Sequence, residues 1–498
     1  MPRPKSFTFL VLLIVCILSV PSTAQRKFVD QLEAKAEAGA FVSSNEDTPF
    51  WLRTNQFGIV PTESPAGFFS AGLRKKYVFF DSLSNKRRNF DWNASVNPVL
   101  TYNKSNSARI LLPEAYASVR FRSVELYAGR RMELMGLGDS TLTSGFYSGS
   151  GNALPIPKIQ IGTIGFTPLR FTRNFLALHV GFSHGWFGTN YLAGVRLHQK
   201  FIYLRLGKPK SASKFYLGLN HNVLWAGQGE YLKQHPELAV DGKLPSSWRF
   251  FPNVVFAYTS KKWYEKNGYG GFDSYRLGNH LGSYDVGFET KVRGHKLFIY
   301  HQHPFEDVSS MIFLNVPDGL YGVNLKPAYQ NNPRGFRVTH LTLEFLTTKD
   351  QSGSSFYLPG SKFQGADNYF NHSQYVQGWS YQGSAIGTPF IAPAADMDQS
   401  KLQNPRFYPN NRVNVWYAGA LAKLGTSWEF GLRSSISRNF GIPGGSFEPP
   451  RNQLSLMASS QYHLPRLKQT SIILRLGGDR GEVFTKNFGG YIGVSKRW

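Results

Sequence analysis

The eight residues Asn89-Phe90-Asp91-Trp92-Asn93-Ala94-Ser95-Val96 alternate without a break. Phe90, Trp92, Ala94 and Val96 fall on one side and Asn89, Asp91, Asn93 and Ser95 on the other, because successive side chains of a strand point to opposite faces. A period of two with aromatic residues predicts a strand. The pattern recurs along the chain. Leu176, Leu178, Val180 and Phe182 oppose Ala177, His179, Gly181 and Ser183; Phe215, Leu217 and Leu219 oppose Gly218 and Asn220. Val286, Phe288 and Val292 oppose Gly287, Glu289 and Lys291, and Leu341, Leu343 and Phe345 oppose Thr342 and Glu344. Trp428, Phe430, Leu432 and Ile436 oppose Glu429, Gly431, Arg433 and Ser435. A β-sandwich would also give each strand one polar face. The length of these strands, the aromatic residues near the ends of their apolar faces and the terminal Trp498 after Ile492 and Val494 favour a barrel in a membrane. Lys496 interrupts that last register, so the C-terminal match is partial.

The rest of the composition agrees. Among 498 residues only 17% are charged, against about 25% in an ordinary soluble domain. Forty-nine glycines and 15% aromatic residues exclude a disordered chain and a coiled coil. The single cysteine excludes a disulfide framework and a cysteine-based metal site. Arg3 and Lys5, the apolar run Phe7 to Val20 and the small residues Ser22-Thr23-Ala24 predict a signal peptide over 1–24, cleaved near Ala24-Gln25. The run is too short for a helical span, which needs about 20 residues, and Cys16 inside it lacks a lipoprotein-like motif. Cleavage would remove Arg3 and Lys5 and leave a formal charge of +23 on 25–498.

At roughly 25 residues per strand with its share of loops, 25–498 holds 18 or 19 strands, and bacterial barrels prefer even numbers. The expected fold is all-β: a transmembrane antiparallel β-barrel of about 18 strands, with short helical and irregular segments as plug or periplasmic insertions. Phe90, Trp92, Leu178, Val180, Leu343, Phe430 and Leu432 should face lipid; Asn93, His179, Glu344 and Arg433 should face the interior. Lys27 to Ala40 suits either a helix or a first strand. Thr48-Pro49-Phe50-Trp51-Leu52 predicts a short helix capped by Thr48, with Pro49 at its first position and Gly58 at its end. Met135 to Pro157, Ala226 to Asn279 and Gln351 to Arg412 alternate weakly. Irregular backbone cannot face lipid, so these stretches should be loops, periplasmic elements or a plug, blocking the lumen around Trp51, Asn152 and the Asp318–Tyr321 turn.

Several of these irregular stretches carry a likeness. Thr48-Pro49-Phe50-Trp51-Leu52-Arg53, Ser150-Gly151-Asn152-Ala153-Leu154-Pro155-Ile156-Pro157 and Leu197-His198-Gln199-Lys200 occur in order. Gly278-Asn279-His280-Leu281-Gly282-Ser283-Tyr284-Asp285, Pro304-Phe305-Glu306-Asp307 and Asp318-Gly319-Leu320-Tyr321-Gly322 come next. Thr348-Lys349-Asp350-Gln351-Ser352-Gly353 and Asp367-Asn368-Tyr369-Phe370-Asn371 complete the set. In these the chain resembles the outer-membrane capsule-assembly proteins of the Wzi type, in the form found in Bacteroidetes-like bacteria. The resemblance implies a barrel of about 18 strands with a helical periplasmic element, in a Gram-negative outer membrane. It also implies a lectin-like, non-enzymatic role in holding capsular polysaccharide at the cell surface. It carries no residue-level binding motif.

Among the residues themselves, Asp367, Asn368, Tyr369, His372, Gln374, Trp379 and Tyr381 combine flat rings with amides and an acid, the mixture that sugar faces and hydroxyls require. The competing reading is a packed plug whose aromatics are core. His301-Gln302-His303 puts two imidazoles on one strand face, but zinc needs three or four convergent ligands, so lumen or loop histidines are expected. No G-x-S-x-G elbow occurs, and Ser148-Gly149-Ser150-Gly151 lacks the lysine continuation of a phosphate loop. Arg130-Arg131 and Lys86-Arg87-Arg88 read as solvated turn charges. No catalytic residue, metal or cofactor is expected. The basic balance suggests an anionic surface polysaccharide, capsular or other, and lipopolysaccharide and outer-membrane lipid as partners; export makes nucleic acid a poor candidate, and a monomer is expected. Two other classes stay open: a porin or polysaccharide-export channel, for which Arg433 and Lys291 would suit anion passage, and a secreted or outer-membrane carbohydrate or lipid hydrolase.

Overall fold

In the computed structural model, residues 29–81, 86–105, 107–189, 191–257, 266–268, 277–306, 308–328, 334–355, 365–402 and 406–498 are described. The expected signal peptide, with Cys16, lies outside them. The chain forms one antiparallel sheet closed on itself, a barrel of 18 strands. In order these are β1 Leu32–Ser43, β2 Ala66–Lys75, β3 Phe90–Asn103, β4 Ser107–Phe121, β5 Val124–Arg130 and β6 Lys158–Thr163. Then come β7 Leu176–Phe187, β8 Val195–Leu206, β9 Lys214–Trp225, β10 Asn279–Val292, β11 His295–Phe305 and β12 Gly319–Lys326. The last are β13 Phe336–Thr347, β14 Val413–Leu424, β15 Trp428–Ile442, β16 Gly445–His463, β17 Thr470–Gly481 and β18 Asn487–Arg497. A two-residue strand, Thr167–Pro168, pairs with the start of β7 beside β6. Each strand pairs with its neighbours in sequence, and β1 closes the ring on β18, with Ala38 opposite Val494. The Trp498 N–H then donates to Ala34 O at 2.9 Å. Closure leaves no edge with unpaired backbone groups, which lipid could not satisfy.

Burial runs opposite to a soluble protein. Asn93, Ser95 and Asn97 of β3 are buried while Phe90, Trp92 and Val96 are exposed. Leu343 is 63% exposed and the next residue, Glu344, only 3%. Leu178, Val180 and Phe430 share the outer face as anticipated; Asn93, His179 and Arg433 share the inner one. Lys291 has the inward parity but lies exposed at the rim, next to the hairpin 293–294. Some inner aromatics need glycine across the sheet: the Tyr300 ring occupies the space where a Cβ at Gly322 would stand.

The two ends of the barrel differ. The start of β1, the end of β18 and the short connections 122–123, 293–294 and 425–427 lie at one end. Segments 44–65, 131–157, 226–278, 306–318 and 348–412 all lie at the other. In barrels of this kind turns face the periplasm and long loops the outside. Of the ambiguous Lys27 to Ala40 stretch, Leu32 to Ala40 belongs to β1, because its pairing with β2 and β18 supplies what local propensity does not; Lys27 and Phe28 lie outside the described residues. Part of 226–278 leans on the outer wall. Arg196 stands over both Trp225 and Trp248 at 4.9 and 5.0 Å and donates to Ser246 O at 2.8 Å. Phe251 packs on His184 and His198 there.

Leu343→Arg puts a charge on the lipid face. It should cost about 2–4 kcal/mol near the midplane, whereas Leu343→Ile should cost less than about 1.5 kcal/mol. Denaturant midpoints of the barrel in lipid vesicles, read by heat-modifiable gel mobility, will show the difference.

Candidate functional site

Lumen-facing polar side chains must be hydrated or bonded, and here they are bonded to chain. Segment 131–157 runs through the barrel and meets a row of buried acids on the wall. Asp285 accepts from Leu137 N at 2.9 Å and from Gln302 Nε2 at 3.0 Å. Glu344 accepts from Thr143 Oγ1 at 2.8 Å, Ser144 N at 2.7 Å and the Tyr300 hydroxyl. Arg433 donates to the carbonyls of Thr143 and Thr141 at 3.0 and 3.1 Å, so it fastens the plug instead of lining a passage. Ser148 and Ser150, in the glycine-rich stretch, donate to Asn220 Oδ1 and Gly387 O.

The expected helix is present as Phe50–Arg53, but its N-cap is Pro49 with no side-chain cap bond, and it ends at Thr54 instead of Gly58. Thr48 fails to cap because the helix end is satisfied from the barrel wall: Phe50 N donates to Asp479 Oδ2 at 2.8 Å. Trp51 Nε1 donates to Ser435 Oγ at 3.0 Å. The helix thus sits inside the barrel and belongs to its filling, not to a periplasmic appendage.

Residues 365–402 complete the filling. Trp379, fully buried, donates to Ser148 O at 2.9 Å, and Tyr369 donates to Asp318 Oδ2 at 3.0 Å. Asp367 accepts from Ser309 and Ser352, while Asn368 Oδ1 accepts from Asn371 and Asn411. Gln374 Nε2 donates to Leu238 O, and its backbone N–H donates to His372 Nδ1. Six of the seven residues singled out from the sequence are therefore engaged in this packing, Asn368 and His372 half-buried and the other four buried. The seventh, Tyr381, is buried as well, 3% exposed with its ring 5.1 Å from Phe187, and shows an edge to a cleft.

That cleft, of about 330 Å³, lies among the loops and is lined by Arg53, Glu63, Asn103, Arg109, Tyr381 and Asp396. Arg53 is paired with Asp396 at 2.9 Å, and Asn103 Nδ2 donates to Glu63 Oε2 at 3.3 Å. The Tyr381 hydroxyl accepts from Arg130 Nη2 at 3.0 Å. Arg109 is exposed and has no ion pair or side-chain hydrogen bond among the described residues. Guanidinium, amide, carboxylate and phenol edges around one opening suit a ligand rich in hydroxyls, with Arg109 available for an acidic group. Sequence reading missed Arg53, Glu63, Asn103, Arg109 and Asp396. They come from four distant segments, and no spacing links them.

Other sequence candidates resolve differently. Gln302 is the inward residue of its triplet; His301 and His303 face the outer wall, against Tyr321 at 4.1 Å and Phe313 at 4.8 Å, and not the lumen. Among the described residues no group of three or more His, Cys, Asp or Glu could hold a metal. Arg131 is not a solvated turn charge: it pairs with Glu125 at 2.6 Å and Glu133 at 2.5 Å. Arg120, also inward, donates to the carbonyls of Arg88 and Val78 at the turn end.

The fold is that of the outer-membrane β-barrels. Among solved structures it is similar to Wzi of Escherichia coli, an outer membrane protein involved in group 1 capsule assembly and described as a carbohydrate-binding β-barrel. The TM-score is 0.58 at 13% identity, over 95% of this chain and 86% of that one. OccAB2 of Acinetobacter baumannii gives 0.46 at 9% identity over 95% and 98% of the two chains. OccK5 (OpdH) of Pseudomonas aeruginosa gives 0.46 at 10% identity over 94% and 98%. No protein-family model matches the chain, and no curated protein does.

The plug should make the intact protein nearly silent in planar-bilayer recordings, and Glu344→Ala, which releases Thr143 and Ser144, should give frequent openings. Large steady ohmic channels from the unaltered protein would contradict the filled lumen. Asp318, in loop 306–318, adds a pH dependence. Burial pushes its carboxyl up to about 6, against bonds from Gln351, Asp350 and Tyr369 that favour the charged form. A raised carboxyl stabilises the closed loop below its ordinary value of 3.8 and loses that contribution as pH rises through about 6. Openings of the Glu344→Ala protein should therefore be more frequent at pH 7.5 than at pH 5, and adding Asp318→Asn should flatten that dependence.

Proposed function

We infer that this protein binds and organises polysaccharide at the outer face of the outer membrane, capsular polymer above all, without catalysing a reaction. The observation that carries the reading is the filled lumen: the Phe50–Arg53 helix, segment 131–157 and residues 365–402 are bonded to the barrel wall or to one another inside it, and the polar opening at the loop end is a cleft of about 330 Å³. A filled barrel serves as a platform. The ordered words shared with the Wzi type and the likeness of fold support the same reading. Within it, the exposed Arg109 is the polymer contact, and the buried Tyr381 offers only an edge to the same cleft. Trp379 is no probe of binding, since it is fully buried and emptying such an indole site would cost about 3–5 kcal/mol in packing.

The +23 charge of 25–498 favours an acidic polymer. Single contacts can be weak, because a repeating polymer engages many barrels at once and avidity multiplies them. Cells lacking the protein should make polymer but shed it into the medium. Arg109→Ala with Tyr381→Phe, which keeps the buried ring, should loosen retention several-fold while heat-modifiable mobility stays normal. Binding of an acidic polymer to the purified barrel should weaken with salt, since exposed charges are screened beyond about 8 Å at physiological ionic strength. Loss of polymer from cells and medium together would point to synthesis or export through a channel, and would sink the retention reading.

A further inference from the structure

A second cavity, of about 310 Å³, lies inside the barrel between segment 131–157 and the wall made by β6, β7 and β8. Its size is that of a small-ligand pocket. It sits toward the turn end: His179 is three residues into β7, and Phe166 belongs to the connection between β6 and β7. Plug residues Leu134 to Leu137 and Ser148 to Ile156 roof it on the loop side. It shares Leu154 alone with the cleft at Arg109, and an occupant here is tested at other residues than the polymer-retention reading.

One wall is aromatic. His179 lies 4.8 Å from Phe201 and 5.8 Å from Phe166, ring centre to ring centre. The opposite side is polar and internally neutralised. Glu133 pairs with Arg131 at 2.5 Å and Lys158 at 3.0 Å, and Arg131 reaches Glu125 at 2.6 Å, so two cations meet two anions. Lys158 and Gln199 are joined at 2.9 Å. Gln160 differs. It lines the cavity, is only 7% exposed, and its amide makes no hydrogen bond among the described residues. Its amide faces the cavity and offers an acceptor and two donors to whatever occupies the space.

We propose that this cavity binds one neutral pyranose residue. A pyranose has an apolar C–H face for the aromatic wall and a rim of hydroxyls for Gln160. A purely apolar occupant would leave the amide unsatisfied, and an anionic one would find both cations that line the cavity, Arg131 and Lys158, already paired.

The test uses the full-length protein in a zwitterionic detergent without sugar headgroups. Titration calorimetry is run with maltose, cellobiose and lactose, and with sodium glucuronate. At least one neutral disaccharide should bind and glucuronate should bind at least ten-fold more weakly. Gln160→Leu and Phe201→Ala should each weaken the neutral ligand at least ten-fold while keeping heat-modifiable mobility. Should a variant fail to fold, saturation-transfer NMR on the unaltered protein should show the strongest transfer at ring C–H protons of the sugar. No binding of any neutral disaccharide, equal binding of glucuronate, or unchanged affinity in folded Gln160→Leu would overturn the proposal. Its failure is distinguishable from failure of the retention reading, which is tested at Arg109 and Tyr381 by polymer shedding.

Discussion

A backbone that crosses lipid must bond every N–H and C=O within the protein. The closed ring from β1 to β18 meets that demand, and the rest of the molecule is built around it. Closure turns one face of the sheet to hydrocarbon, so Trp92, Leu343, Trp416 and Ile492 stand where a soluble protein would put charge. The other face encloses a volume that a single row of polar side chains cannot fill. Asp285, Glu344 and Asp479 would be costly there as isolated acids; each instead receives donors from chain brought in to fill the space.

The filling decides what the barrel can do. Arg433, which parity alone would make an anion-attracting lumen residue, directs its donors to the carbonyls of Thr141 and Thr143. Tyr369, Trp379 and Gln374 are likewise committed to Asp318, Ser148 and Leu238. Among the described residues, the cleft at the loop end and the cavity under the plug are two places where side chains stay open to a ligand. Both are margins of the filling, where packed chain runs out against the wall.

The strands were legible because lipid imposes a strict period on each one separately: Asn89 to Val96 reads as a strand without knowledge of its neighbours. Strand number came from length. The irregular stretches could be recognised as non-strand by the same rule, and Trp51 and Asn152 placed in the lumen by elimination. What could not be read were the distances across the lumen. Asp367 to Tyr381 has the composition of a sugar site because rings, amides and acids also make a polar plug; only position separates Tyr381 from Trp379. The cap of the Phe50–Arg53 helix was misplaced for a similar reason, since its partner Asp479 lies on β17 at the far end of the sequence. Arg53, Asn103, Arg109 and Asp396 form a cleft only after the ring has closed.

The bond from Phe50 N to Asp479 joins residues 429 apart, and that from Trp51 to Ser435 joins residues 384 apart. Contacts of such separation cannot form until nearly the whole chain has been laid down, and ordering so long a span delays the contacts that repay it. The segment that enters first is thus among the last to find its place. Ring closure and lumen filling become coupled steps of assembly, and a chain arrested before β17 would present a hollow, polar half-barrel with its acids unmet.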